Sequence, residues 1–130
     1  MDAVVAQMKK DAFARHLGLE LLEVLPGRAK VTMKVTDDHR NSVGMVHGGV
    51  IFTVADYAFA VACNSHGVLA VAVNCNICYL RPPSGDTLTA EASEVSRSRR
   101  LGTYTVSVMD GEGNQVALFQ GMAYRKGQEL

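Results

Sequence analysis

Apolar and polar positions alternate along much of this chain. Val31, Met33 and Val35 interleave with Thr32, Lys34 and Thr36. Leu88, Ala90 and Ala92 fall on one face of residues 87–96, and Tyr104, Val106 and Val108 interleave with Thr103, Thr105 and Ser107. A period of two marks a half-buried strand. Strands are also predicted at 19–25, at 68–80 and from Val116 to near Tyr124. Turn signals separate them: Pro26-Gly27, the stretch from Arg81 to Asp86, and Asp110-Gly111-Glu112-Gly113-Asn114. Two segments carry a helical period instead. Residues 2–15 space Val4 or Val5, Met8, Ala12 and Arg15 three or four apart, and Gly18 ends them. Residues 50–64 form a run of about four turns that is apolar on nearly every face, which predicts a buried helix. Gly48-Gly49 introduces that run, since glycine disfavours a helix interior, and Asn64-Ser65-His66-Gly67 stops it.

The order is therefore a helix, two strands, a buried helix and four strands. Short connections predict that the later strands form an antiparallel meander. An α+β domain in which one antiparallel sheet wraps a long central helix accounts for the pattern, and this is the hot-dog architecture. With 130 residues the chain is read as a single domain over 1–130.

Charge narrows the choice of partners. Thirteen basic residues balance thirteen acidic ones, so there is no basic excess to draw in nucleic acid or a membrane surface. The start, MDAVVAQMKKDAFARHLG, has an acid at position 2 and no long apolar core, unlike a signal peptide. The apolar run is too short to span a membrane. A soluble, cytoplasmic protein is expected. Cys63, Cys75 and Cys78 are an odd number, which favours reduced thiols over a disulfide framework. Cys75 and Cys78 have CxxC spacing but lie in a predicted strand, where residues three apart point to opposite faces. They do not read as a metal or redox pair.

One residue breaks the apolar run. Asp56 is the only Asp, Glu, Lys or Arg between Asn41 and Leu80. A carboxylate in such surroundings costs free energy unless it is paired, hydrogen-bonded or protonated. No GxSxG elbow, P-loop or GxGxxG motif competes with it for the chemistry. A glycine pair at a helix start leaves backbone N–H groups free, and the helix dipole adds positive potential there, which suits a developing oxyanion. Asp56 lies about 12 Å further along the helix than Gly48. One chain does not easily bring both to one carbonyl, whereas two antiparallel copies of the helix do. A two-fold dimer with two composite sites follows.

The stretch Asn41…His47-Gly48-Gly49-x-x-Phe52-x-x-x-Asp56-x-Ala58, followed by Asn64-Ser65-His66-Gly67 and Tyr79-Leu80-Arg81-Pro82, closely resembles the PaaI-type acyl-CoA thioesterases of the hot-dog superfamily. The resemblance runs from about residue 13 onward. It implies hydrolysis of acyl-CoA thioesters, aryl-acyl or hydroxylated phenylacetyl-type, to free acid and CoA, with no metal and no cofactor. It makes Asp56 the catalytic carboxylate, either attacking the thioester carbonyl or activating water. It has Gly48 donate its N–H to the thioester oxygen, His47 fix the loop, and Asn41 hold the water or the carbonyl. Gly49, Arg81, Arg99, Arg100, Leu101 and Gly102 are carried over as candidates for binding substrate or CoA. A homodimer is the minimum unit, and a homotetramer is expected.

Plainer readings stand beside these. Asp56 can be a structural acid that hydrogen-bonds a neighbouring segment, Asn41 a loop cap, and the arginines of SRSRRLG a solvated hairpin. The functional alternative is a non-catalytic acyl-CoA-binding regulatory module, against which the unexplained Asp56 argues. A hot-dog dehydratase fits the HGG–Asp arrangement less well.

Overall fold

The computed structural model describes residues 1–130. Two short helices, α1 (Asp2–Met8) and α2 (Ala12–Leu17), precede strands β1 (Glu20–Leu25) and β2 (Arg28–Lys34). The central helix α3 (Gly48–Asn64) follows, and then β3 (Val68–Tyr79), β4 (Thr87–Arg97), β5 (Leu101–Asp110) and β6 (Gln115–Glu129). The predicted strands and the central helix are all present.

The helix predicted over 2–15 is instead two. Asp11 breaks it: the Asp11 Oδ1 accepts from the Ala14 N–H at 2.9 Å, so this residue caps α2 rather than continuing α1. Gly18 closes α2 in the left-handed region at φ 80°. The last strand runs to Glu129 rather than ending near Tyr124, because β3 is long enough to pair with its extension at Val68↔Glu129.

All six strands join one antiparallel sheet in the order β1-β2-β4-β5-β6-β3. The expected meander of the last four strands holds only for β4-β5-β6. β3 lies at the far edge beside β6, and β4 pairs with β2. The 80–86 connection carries Pro82-Pro83, which do not supply the N–H groups of a tight hairpin. It spans three strand spacings, about 14 Å, well within the reach of seven residues.

The sheet curls round α3. Val54, Ala55, Ala58, Val61 and Ala62 are fully buried against Val31, Leu88, Ala90, Val106 and Phe119. Aromatic rings lock the helix to the sheet. Phe59 meets Tyr104 and Phe119 at centroid distances of 5.7 and 5.6 Å, and Phe52 meets Phe119 edge-on at 5.4 Å. Tyr57 is buried too, and its hydroxyl donates to the Met8 carbonyl at 3.0 Å, tying α1 to α3. At the far end of α3, buried Asn64 accepts from the Ala70 N–H at 2.9 Å and donates to the Ala60 and Ala70 carbonyls. That bonding fixes where β3 departs.

Candidate active site

The loop before α3 is built around two histidines. His39 is buried, and its Nδ1 accepts from the Thr36 N–H at 2.9 Å while its Nε2 donates to the Leu17 carbonyl at 3.1 Å. Its own carbonyl accepts the His47 N–H at 2.8 Å, so the residue that opens α3 is anchored to the end of α2. Asn41 Oδ1 accepts from the Val43 and Met45 N–H groups, each at 3.0 Å. The loop-cap reading of Asn41 is therefore realised by its oxygen, and its amide NH2 makes no hydrogen bond within the chain.

His47 caps α3. Its Nδ1 accepts from the Gly49 N–H at 2.8 Å. This requires a neutral Nδ1, which leaves the proton on Nε2. The Val50 and Ile51 N–H groups both turn back to the His47 carbonyl. Gly48 N–H, by contrast, has no acceptor in the chain: as the first helical residue it has no partner in the helix and it donates to nothing in the loop. One free N–H at a helix N-terminus is thus singled out from a glycine pair. The Gly48 carbonyl accepts the Tyr79 hydroxyl at 3.0 Å.

Beside Gly48 lies a pocket of about 350 Å³ lined by Met45, Val46, Ile51, Tyr79, Leu80, Arg81 and the Pro82-Pro83 turn. The lining is mainly apolar and matches a hydrophobic acyl group in character.

Asp56 lies on the one stripe of α3 that the sheet leaves partly open. Gly49, Phe52, Thr53, Asp56 and Ala60 follow each other at helical spacing along it. The Asp56 carboxylate makes no hydrogen bond or ion pair within the chain, and Thr53 donates instead to the Gly49 carbonyl at 2.8 Å. The structural-acid reading has no bond to rest on. Burial pushes the Asp56 carboxyl above the usual carboxylate range, and the Asp11 carboxylate adds to the shift. Asp56 in turn helps raise two thiols that are chiefly raised by burial, Cys63 to about 12 and Cys75 by less.

The chain does not gather all its candidate residues. Asn41, His47, Gly48, Gly49 and Arg81 cluster at the N-terminal end of α3, where Arg81 donates to Asn114 Oδ1 at 3.3 Å in the β5–β6 hairpin. Arg99, Arg100, Leu101 and Gly102 sit at the opposite end of β5, a strand of 10 residues and so about 33 Å long. Gly102 is buried there, and a Cβ on it would lie 2.9 Å from the Tyr104 ring, so this glycine makes room for Tyr104. The basic cluster gains a member that the sequence did not flag. Arg125 donates its backbone N–H to the Arg100 carbonyl at 2.7 Å and its guanidinium to the Ser98 and Arg99 carbonyls. Arg97 is drawn away to Glu94 at 3.6 Å, whereas Arg99 has no acidic partner. Cys75 packs toward the core while Cys78 is exposed, so the two thiols do point apart along β3.

Tyr79 and Asp11 are the residues that reading the sequence missed. Tyr79 was visible only as part of a motif, and Asp11 approaches Asp56 only because α2 packs on α3.

Comparison with known proteins shows the family of the chain and its fold. The Thioesterase superfamily model matches residues 43–117. The chain is 42% identical to the acyl-coenzyme A thioesterase PaaI of Escherichia coli over 94% of its length and 88% of that protein's. The structure of the E. coli PaaI protein, from the phenylacetic acid degradation operon, superposes with a TM-score of 0.91 and covers 95% of this chain and 91% of that one. Human acyl-coenzyme A thioesterase 13 is 30% identical over 82% of this chain and 79% of its own. A hypothetical thioesterase from Streptococcus pneumoniae, solved with coenzyme A, is 26% identical with a TM-score of 0.88 and covers 96% of this chain and 98% of that one.

Proposed function

The chain belongs to the Thioesterase superfamily and has the hot-dog fold, and from that premise we propose that it hydrolyses aryl-acyl-CoA thioesters at sites composed by two protomers. The observation that carries the mechanism is the unpaired, half-buried Asp56 on the open stripe of α3. In the reaction the thioester oxygen accepts the free Gly48 N–H, which stabilises the oxyanion as the carbonyl carbon becomes tetrahedral. Asp56 supplies the electron pair by one of two routes. As a base it takes a proton from water while the oxygen of that water bonds to the carbonyl carbon, and it passes the proton to sulfur as the C–S bond breaks and coenzyme A leaves as a thiol. As a nucleophile it bonds to the carbonyl carbon itself and expels the thiolate, and water then cleaves the acyl–Asp56 anhydride, which frees the acid, restores the carboxylate and gives the thiolate its proton. No metal or cofactor enters the scheme.

The edge strand β3 supports the dimer. It is 12 residues long, bears no charge and no proline, and exposes Val71, Val73 and Tyr79. A long uncharged edge of this kind is a template for pairing with another strand. Antiparallel pairing of two β3 strands about a two-fold axis sets the Val68 end of one against the Tyr79 end of the other. Arg125, which pairs with Ala70 on β3, then brings Arg99 and Arg100 of one protomer toward Gly48 and Arg81 of its partner. The same operation turns Asp56 of one chain toward Gly48 of the other. In this reading the arginines take the phosphates of coenzyme A, as point and bidentate donors do.

The pocket beside Gly48 supports an aromatic acyl group. On the outer face of the sheet Leu118, Met122 and Tyr124 are exposed, with Val71 and Leu101 opposite Tyr124. This apolar strip supports association of two dimers into a tetramer. We assign the activity to the cytoplasm, where the three free cysteines stay reduced.

Subunit complementation tests the composite site. Asp56→Asn removes the carboxylate, and Gly48→Pro removes the N–H. Proline suits the first helical position, and His47 is already extended at φ −64°, ψ 134°. Each homodimer should release almost no thiol from a phenylacetyl-CoA substrate. Refolding the two together should restore about a quarter of native activity, since half the dimers are then mixed and each carries one intact site of two. No recovery would put both groups in one chain and overturn the composite site.

A further inference from the structure

We propose that Tyr79 is a positioning residue of the thioesterase site, which holds the Gly48–Gly49 peptide so that the Gly48 N–H is preset as an oxyanion donor. The inference rests on the thioesterase reading and adds to it a residue from a different element.

The need for such a residue arises from the glycine pair. Two adjacent glycines give the loop-to-helix junction close backbone access to a substrate, but they are also the residues with the most backbone freedom. A donor that swings is a poor oxyanion site, because catalysis depends on dipoles fixed before charge develops. The Gly48 N–H itself belongs to the preceding His47–Gly48 peptide, whose carbonyl is held by the Val50 and Ile51 N–H groups, so the swing left to it is rotation about the Gly48 Cα, and that rotation is limited by the peptide on the other side. The peptide unit between Gly48 and Gly49 is held at both its carbonyl and its N–H. Its carbonyl accepts the Tyr79 hydroxyl at 3.0 Å, and its N–H donates to His47 Nδ1 at 2.8 Å. Rotating that peptide breaks both bonds together. The Gly48 carbonyl does not need Tyr79 for satisfaction, since the helical ladder offers it the N–H four residues on. The tyrosine bond is thus an addition, and its consequence is orientation.

The ring contributes as well. A Cβ built on Gly48 would lie 3.5 Å from both Cζ and Oη of Tyr79, so the phenol closes one side of this residue at van der Waals distance. Tyr79 remains 52% exposed, so it is not a core residue whose hydroxyl merely found a partner. It stands at the end of β3, where the strand passes into the wall of the pocket beside Gly48. Strand, helix start and pocket are joined through this one side chain.

Tyr79→Phe keeps the ring and removes the hydroxyl. Steady-state thiol release should show kcat and kcat/KM both down about tenfold with KM within about twofold of native, the pattern of an interaction that matters only in the transition state. The melting temperature should not move. Amide hydrogen exchange, read by NMR, should show Gly49 losing protection by about tenfold in the same variant, since its peptide is released at the carbonyl end. Native kcat in Tyr79→Phe, or a loss confined to KM, overturns the positioning role. An unchanged Gly49 exchange rate overturns the clamp whatever the activity. Absence of thiol release by the native protein overturns the thioesterase reading itself, a failure distinct from both.

Discussion

Asp56 of α3 and Asp11 of α2 are two carboxylates brought close enough for the charge of one to raise the pKa of the other. Asp11 is stabilised as the cap of α2 through the Ala14 N–H at 2.9 Å. Asp56 has no such partner. The cap of the helix that packs on α3 therefore makes the proposed catalytic group harder to ionise, on top of its burial.

Stability and activity should part at Asp56. Folding raises its pKa, so the folded chain holds this proton to higher pH than the unfolded chain, and stability falls as pH rises through that window. Asp56→Asn removes the ionisation. At neutral pH it should raise the melting temperature by a few degrees, on the order of 1 kcal/mol, and lower thiol release by about 10²–10⁴-fold. Calorimetry and a thiol assay on the same preparations check this. A variant that is less stable than the native chain would mean Asp56 has a partner after all. The acid limb of kcat/KM for the native protein should lie above the usual Asp range.

A methyl group at position 49 should disarm the cap. A Cβ there would lie 3.0 Å from His47 Nδ1 and 3.1 Å from Cε1, so Gly49→Ala pushes the imidazole off the N–H it accepts. Loss of an N-cap costs about 0.5–2 kcal/mol. We expect a drop of that size in urea denaturation together with about a tenfold fall in kcat. If Gly49→Ala keeps native kcat, the His47–Gly49 bond plays no part in shaping the donor loop.

Acid should loosen the end of the sheet through Asp110. The Ser84 N–H at 2.9 Å, and then the Asn114 N–H, the Asn114 side-chain amide and the Glu112 N–H, hold its carboxyl down at about 2. A depressed carboxylate contributes stability above its unfolded value of 3.8 that is lost as pH falls toward about 2. Asp110→Ala should lower the melting temperature at neutral pH and flatten its fall between those two values. Thermal melts across that range test it, and an unchanged pH profile would exclude Asp110 as the titrating group.

The floor of the helix should reject added bulk at Gly121. A Cβ there would lie 2.7 Å from Phe59 Cε1 and 2.8 Å from Cζ, closer than real contacts allow, and Phe59 is itself wedged between Tyr104 and Phe119. Gly121→Ala should destabilise by about 1–3 kcal/mol as an overpacked core. Double substitution with Phe59→Leu should recover part of that loss, and additive losses would show that the two positions do not meet.

The sequence alone determined those features that repeat at short range. Alternation at 103–108 set the face of β5 and the long apolar run set α3, while the stretch from His47 through the glycine pair to Asp56 marked the candidate site through its resemblance to a known family. The strand face and the helix depend on residues two to four apart, where geometry leaves few choices. Tertiary structure decided what those elements meet. Nothing local says that β3 crosses to the far edge beside β6, since strand partners are selected by burial of whole faces. That choice leaves β3 free to pair outward and swings Tyr79 onto Gly48. The packing of α2 on α3 places Asp11 against Asp56. The length of β5 separates Arg81 from Arg99 and Arg100, and the extension of β6 adds Arg125 to the basic turn. Each of these brings together or holds apart residues well separated in sequence, and such placements are fixed only when the sheet closes round the helix.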